Sequence, residues 1–141
     1  MAGHGILQAT KLFTNLTCVI VSDVQKSIDF YVQAFGFEVL EKHEHEGMVC
    51  GATLKLGEIT FMLFAMGANG DNVKTPAQLG IRPGSSIYVY CQNVDELYQK
   101  ALNYGATSLA EPQASFWGDR YCQLRDLDGY EWGFATYNQM A

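Results

Sequence analysis

Half-way along, the sequence begins again. Val19-Ile20-Val21-Ser22-Asp23-Val24, a helical stretch and Phe35-Gly36-Phe37 return as Val89-Tyr90-Cys91-Gln92-Asn93-Val94, a helical stretch and Tyr104-Gly105-Ala106. The offset is 70 residues at the start, 69 at the glycine and 72 where Cys50 matches Cys122 and Gly57 matches Gly129. One unit built twice is a strong constraint, because each copy must bury its apolar face against the other. The unit reads strand–helix–strand–strand–strand, so the expected class is α+β with duplicated βαβββ modules.

The modules are expected over residues 12–66 and 85–138, after an N-terminal extension at 1–11 and joined by a linker at 67–84, all within one structural domain. A continuous apolar run predicts a first strand over 13–21. Asp23 is placed to cap a helix whose apolar stripe is Val24, Ile28, Tyr31, Ala34 and Phe35, and Gly36 is placed to stop it. In the second copy Asn93 and Glu96 have capping-box spacing, and Val94, Leu97, Ala101 and Leu102 form the stripe before Gly105. Strands follow at 37–46, 48–56 and 58–65, and again at 106–110, 119–126 and 130–137, with Asp126-Leu127-Asp128-Gly129 as the last hairpin turn. The linker is rich in glycine and proline and long enough to double as a flap.

Composition narrows the function classes. At 141 residues with 48% hydrophobic and 17% charged side chains, the chain can bury a substantial core. A net charge of −6 without a basic run argues against a nucleic-acid surface. No stretch reaches the roughly 20 apolar residues of a membrane span. The first ten residues do not read as a secretory leader. Cys18, Cys50, Cys91 and Cys122 stand singly in strand-like runs, which suits buried, reduced thiols and a cytoplasmic location.

Val21-Ser22-Asp23-Val24-Gln25-Lys26-Ser27-Ile28-Asp29-Phe30-Tyr31 with Phe35-Gly36-Phe37, and later Phe116-Trp117-Gly118-Asp119-Arg120-Tyr121 leading into Arg125-Asp126-Leu127-Asp128-Gly129-Tyr130-Glu131-Trp132, resemble the vicinal oxygen chelate superfamily. This is the glyoxalase, bleomycin-resistance and extradiol-dioxygenase group. The resemblance covers roughly residues 12–137 and runs closest to the bleomycin-resistance-like and PhnB-like branches. It implies mixed sheets curled around a central cavity and pairing as a homodimer with sites shared between chains. Leu127 stands where most members have proline.

Metal-dependent relatives draw four ligands from the first and last strands of the two copies. Carried over by spacing, those positions are Leu16, Phe61, Ser86 and Gly133, none of which supplies an imidazole or carboxylate. No metal and no cofactor is therefore expected. His43 and His45, two apart on a strand, read as a solvated strand end, and His4 as incidental. Strand alternation then sets the cavity lining: Leu16, Cys18 and Ile20, with Ile59, Phe61 and Leu63, from the first copy, and Ser86, Tyr88, Tyr90, Glu131, Gly133 and Ala135 from the second. Trp117 and Tyr121 join as a rim, Gly133 and Ala135 leave room, and Glu131 or Asp119 is the candidate partner for a cationic group. Otherwise the charges of the last hairpin are expected to pair between strands.

No G-x-S-x-G, P-loop or cysteine–histidine pairing is present, and no catalytic residue is assigned. The leading expectation is a metal-free protein that captures a small aromatic or hydrophobic molecule, cationic ones included, as resistance proteins sequester drugs. The alternative is a glyoxalase-like lyase or isomerase acting on a small oxygenated substrate with a non-standard or absent metal site. An effector-sensing or partner-docking module is a third class.

Overall fold

The computed structural model describes residues 9–137. Strand β1 (Thr17–Val21) leads into helix α1 (Val24–Phe30), which continues as a π-helical turn over Tyr31–Phe35. Strands β2 (Glu38–His45), β3 (Met48–Leu56) and β4 (Ile59–Ala65) complete a four-stranded sheet in the order β1-β4-β3-β2. A short helix α2 (Pro76–Leu79) lies in the linker. Strand β5 (Ile87–Tyr90), helix α3 (Val94–Asn103) and strands β6 (Thr107–Ala114), β7 (Asp119–Arg125) and β8 (Glu131–Tyr137) build a second sheet in the order β5-β8-β7-β6. In both sheets the first strand runs parallel to the fourth and the remaining pairs are antiparallel. The sheets are mixed and not closed into a barrel, an α+β architecture of duplicated βαβββ modules.

The local signals explain most of these elements. Asp23 caps α1 by accepting from the Lys26 backbone N–H at 3.0 Å, and Asn93 caps α3 by accepting from Glu96 N–H at 3.1 Å. The reciprocal half of the Asn93 box is absent; a full capping box instead joins Thr75 and Gln78 and folds α2 out of the linker. Strand β1 starts at Thr17 rather than residue 13, since no strand lies alongside 13–16, and Leu12 and Phe13 are each 86% exposed. Strand β6 runs past Pro112 to Ala114 because it is an edge strand, where a missing N–H costs no ladder bond.

The core lies between the helix-bearing faces of the two sheets. Tyr31, Phe35 and Phe37 of the first module and Trp132 and Phe134 of β8 are each no more than 3% exposed. Phe35 meets Phe134 at 4.8 Å between centroids, and Trp132 meets Phe61 at 5.1 Å and Tyr31 at 5.5 Å. Each such buried side chain contributes about 2 kcal/mol, and edge-to-face or tilted packing adds to that.

The last hairpin joins the modules by hydrogen bonds as well. Asp126, only 6% exposed, accepts from the Tyr31 hydroxyl, from Trp132 Nε1 at 3.1 Å, and from the backbone N–H groups of Asp128 and Tyr130 at 3.1 and 2.9 Å. Asp128 accepts from the Ser22 backbone N–H at 3.1 Å and from Ser27 Oγ at 3.4 Å, and the Tyr130 hydroxyl donates to the Ile20 carbonyl at 2.8 Å. The sequence reading had expected cross-strand ion pairs here. Phenol, indole and amide donors satisfy Asp126 instead, because cations do not follow it into the aromatic core.

Burial pushes the Asp126 carboxyl up to about 6, outweighing the donors that pull it down. A carboxyl raised on folding binds its proton more tightly in the native state, so its contribution to stability is full below the unfolded value and is lost as pH rises through about 6. Urea denaturation should show this contribution, up to about 3 kcal/mol, falling away between about pH 4 and pH 7. Asp126→Asn should be less stable and should lack that slope; equal slopes would refute the assignment. The same hairpin also holds the linker, since Ala77 N–H donates to the Asp128 carbonyl at 2.9 Å. Gly129 sits at φ 92°, and a Cβ there would lie 2.8 Å from Ala77 N. Gly129→Ala should cost about 1–3 kcal/mol and speed proteolytic cleavage within 67–84 relative to cleavage elsewhere.

Candidate functional site

Cross-strand register sorts the second sheet into two faces. On β7, Asp119, Tyr121, Gln123 and Arg125 stand opposite Tyr137, Ala135, Gly133 and Glu131 of β8, and Gly133 and Ala135 in turn stand opposite Tyr88 and Tyr90 of β5. Paired residues share a face. The intervening set, Val89, Cys122, Leu124, Trp132 and Phe134, forms the core side. The other face is open, and it gathers Tyr88, Tyr90, Glu131 and Gly133, the set that alternation predicts, with Tyr121, expected only as a rim residue.

Asp119 organises this face. It is 5% exposed, and its Oδ2 accepts from the Tyr90 hydroxyl at 2.8 Å, the Tyr88 hydroxyl at 2.9 Å and Trp117 Nε1 at 3.1 Å. Its backbone is clamped by Ser115, whose Oγ accepts from Asp119 N–H at 2.9 Å and donates to the Asp119 carbonyl at 2.9 Å. Burial pushes the Tyr88 phenol up to about 12, and the hydrogen bond to Asp119 raises that of Tyr90, so both phenols are protonated donors at neutral pH.

Held this way, the rings form a continuous surface. Tyr90 stacks on Tyr137 at 4.1 Å, Tyr88 meets Tyr90 edge-on at 5.4 Å, and Trp117 packs on Tyr121 at 5.0 Å. Tyr88, Tyr90, Trp117 and Tyr137 are between 38% and 47% exposed, so the surface is open to a ligand. A groove of about 560 Å³ borders it, between the β3–β4 hairpin and β5. Ser86 is exposed just before β5. The room expected at Gly133 is already filled: a Cβ there would lie 2.6 Å from Tyr88 Cδ1, so the glycine is where the Tyr88 ring lies against the sheet.

Glu131 was read as a partner for a cation, but the chain supplies its own. Arg82, from the linker, donates Nε to Oε2 at 2.7 Å and Nη2 to Oε1 at 2.8 Å, and Gln123 Nε2 adds 3.3 Å to Oε1. The Arg82 hydrogen bonds, with Arg82 and Arg125 charges behind them, hold the Glu131 carboxyl below its ordinary range. Asp119 is likewise occupied by three donors. All three donors fall on Oδ2, so Asp119 Oδ1 accepts no hydrogen bond among the described residues.

The open face of the first sheet differs from expectation at one strand. Cys18 stands opposite Met62 and Ile20 opposite Phe64, while Thr17 stands opposite Phe61 and Val19 opposite Leu63. Phe61, 1% exposed, is therefore a core residue rather than a lining one, and Leu63 goes with it. The cause is turn length. Leu56 pairs with Ile59 across a two-residue turn, whereas Arg125 pairs with Glu131 across five residues, so counting from the glycine slips by one and reverses the faces. Leu16 is 39% exposed and Cys18 is an exposed thiol, not a buried one. These two stand on a different sheet from Ser86 and Tyr88, so one chain does not bring them together.

With that register, the positions matching the metal ligands of relatives are Leu16, Met62, Ser86 and Gly133. Their side chains hold no carboxylate or imidazole and do not fit a divalent ion bound through nitrogen and oxygen. Among the described residues, no group of three or more His, Cys, Asp and Glu stands together. A bulge between His43 and Glu44 interrupts alternation: His43 Nε2 lies 2.8 Å from Thr53 Oγ1, whereas the His45 side chain is 79% exposed. His4 lies outside the described residues. Beyond the lining that the sequence predicts lie Asp119 (which it offers only as a candidate partner for a cation), Tyr137, Arg125 and Arg82. The first three follow from the alternation rule applied to β7 and β8; Arg82 carries no local signal, because only the folded linker brings it to Glu131.

Comparisons with known proteins bear on this geometry. The family model of the Glyoxalase/Bleomycin resistance protein/Dioxygenase superfamily matches residues 13–134. An uncharacterized protein of Mycobacterium bovis is 34% identical over 120 residues, 83% of this chain and 78% of that protein. Among solved structures, TioX from Micromonospora sp. ML1 superposes with TM-score 0.69 at 23% identity, over 86% of this chain and 96% of that one. TnmS3, an antibiotic binding protein from Streptomyces sp. CB03234, gives 0.64 at 22% identity, over 92% and 99%. No helix among the described residues is long and apolar enough to cross a membrane. Sequence match, duplicated βαβββ sheets and structural likeness agree: the chain belongs to the glyoxalase/bleomycin-resistance/dioxygenase superfamily.

Proposed function

We propose that this is a cytoplasmic, metal-free binding protein that captures a small aromatic molecule on the open face of the second sheet. The observation that carries the reading is the half-exposed ring surface of Tyr88, Tyr90, Trp117, Tyr121 and Tyr137, held in place by the buried Asp119. Rings with so many fixed contacts lose little entropy when a flat ligand stacks on them, and an exposed aromatic patch on a folded domain marks a contact surface. The donor set without carboxylate or imidazole at Leu16, Met62, Ser86 and Gly133 supports capture rather than metal-assisted turnover. So does the likeness to TnmS3, an antibiotic binding protein.

The reading includes a homodimer. Cys18, Ile20, Met62 and Phe64 form an apolar face that nothing among the described residues covers completely. A second copy placing its aromatic face there would bury both and put Leu16 and Cys18 into the same site as Ser86 and Tyr88.

Titration with planar aromatic compounds, followed by tryptophan emission, tests the capture reading. Binding should survive exhaustive chelation, saturate stoichiometrically and return the ligand chemically unchanged. Trp117→Ala should weaken it about tenfold or more, as loss of a stacking partner does. Turnover of a small oxygenated substrate, restored by added metal, would replace this reading with the lyase or isomerase one. Sedimentation should give a dimer that Met62→Glu dissociates.

A further inference from the structure

Two guanidinium groups converge on one carboxylate at the hairpin end of the same open face. Arg82 is committed to Glu131 through both Nε and Nη2. Arg125 is not: its Nη2 is 3.7 Å from Glu131 Oε2, beyond hydrogen-bond distance, and it makes no side-chain hydrogen bond among the described residues. Its side chain is 34% exposed, and its donors stay accessible to solvent and to a ligand. Beside it opens a hollow of about 440 Å³ between the linker and the last hairpin, lined by Ala77, Ile81, Arg82, Thr107 and Arg125 among others. Asp126 also borders the hollow, but its oxygens accept from Tyr31, Trp132, Asp128 and Tyr130. Two guanidinium groups therefore stand beside the hollow, in a chain whose formal net charge is −6.

We propose that the hollow receives a carboxylate, held by Arg125, belonging to the ligand whose rings lie on the aromatic surface, so that the protein captures aromatic acids rather than aromatic cations. The proposal rests on the capture reading above. Arg125 and Tyr121 are four residues apart on β7 and share its open face, about 13 Å along the strand, so the acid sits at the end of a spacer rather than on the ring. A guanidinium with free, accessible donors recognises a carboxylate bidentately, which a neutral group of the same shape cannot match.

Three fluorescent probes with one ring system and one five-carbon spacer separate the possibilities: N-dansyl-6-aminohexanoate, its methyl ester, and dansylcadaverine, which ends in an ammonium. At constant ionic strength the acid should bind about tenfold more tightly than the ester, with dansylcadaverine weakest. Arg125→Gln should bring the acid down to the affinity of the ester. Arg120→Gln, whose guanidinium pairs with Asp95 near α3, should keep the preference. Equal affinities for acid and ester, tightest binding of dansylcadaverine, or an unchanged preference in Arg125→Gln would overturn the proposal. If no probe binds, the capture reading fails, and inorganic phosphate decides the anion site alone. A rise in Tm that Arg125→Gln removes upholds the site, and no rise overturns it.

Discussion

A buried carboxylate that makes no ion pair among the described residues holds this molecule in one arrangement. Asp126 takes four donors from three directions: the phenol of one module, the indole of the other, and the backbone of its own turn. Each donor is a constraint on something larger. The Tyr31 bond sets the π turn against the second sheet, the Trp132 bond sets the first inward residue of β8, and the turn bonds set where β8 begins. Once Trp132 faces the core, alternation leaves Phe134 inside with it and turns Glu131, Gly133 and Ala135 outward. The composition of the open face is thus decided at a hairpin several residues away.

The open face repeats that device at its far end. Asp119 also gathers phenol and indole donors, but there the rings stay half exposed. A carboxylate under aromatic rims does two things at once. It removes the hydroxyl groups from competition with ligand and it stiffens the rings that would stack on that ligand. On this face Glu131 is matched by arginine, whereas Asp119 is matched by neutral donors alone.

Much of this was legible in the sequence because it depends on period and local chemistry. The duplication set the module, Asp23 and Asn93 set the helix starts, and alternation brought Tyr88, Tyr90, Glu131 and Gly133 to one face. What could not be read there depends on counts and long-range closure. The shorter β3–β4 turn reversed the side of Phe61, a one-residue effect that leaves no trace in composition. Arg82 reaches Glu131 across 49 positions of chain, and Thr75–Gln78 folds a helix inside a stretch whose glycines and prolines read as linker. The expectation that neighbouring charges pair also failed for Asp126, because a carboxylate facing an aromatic core is satisfied by the polar edges of that core.

The Tyr88 ring lying on Gly133 leaves no room on this face for a longer side chain at that position. A carboxylate introduced at position 133 would collide with the ring. Removing the ring to make space would take away one of the three donors that keep Asp119 buried. The two positions are locked to one another, and each single step away from the present pair passes through a destabilised protein. A longer side chain at position 133 would therefore require a matching change at position 88 on the neighbouring strand.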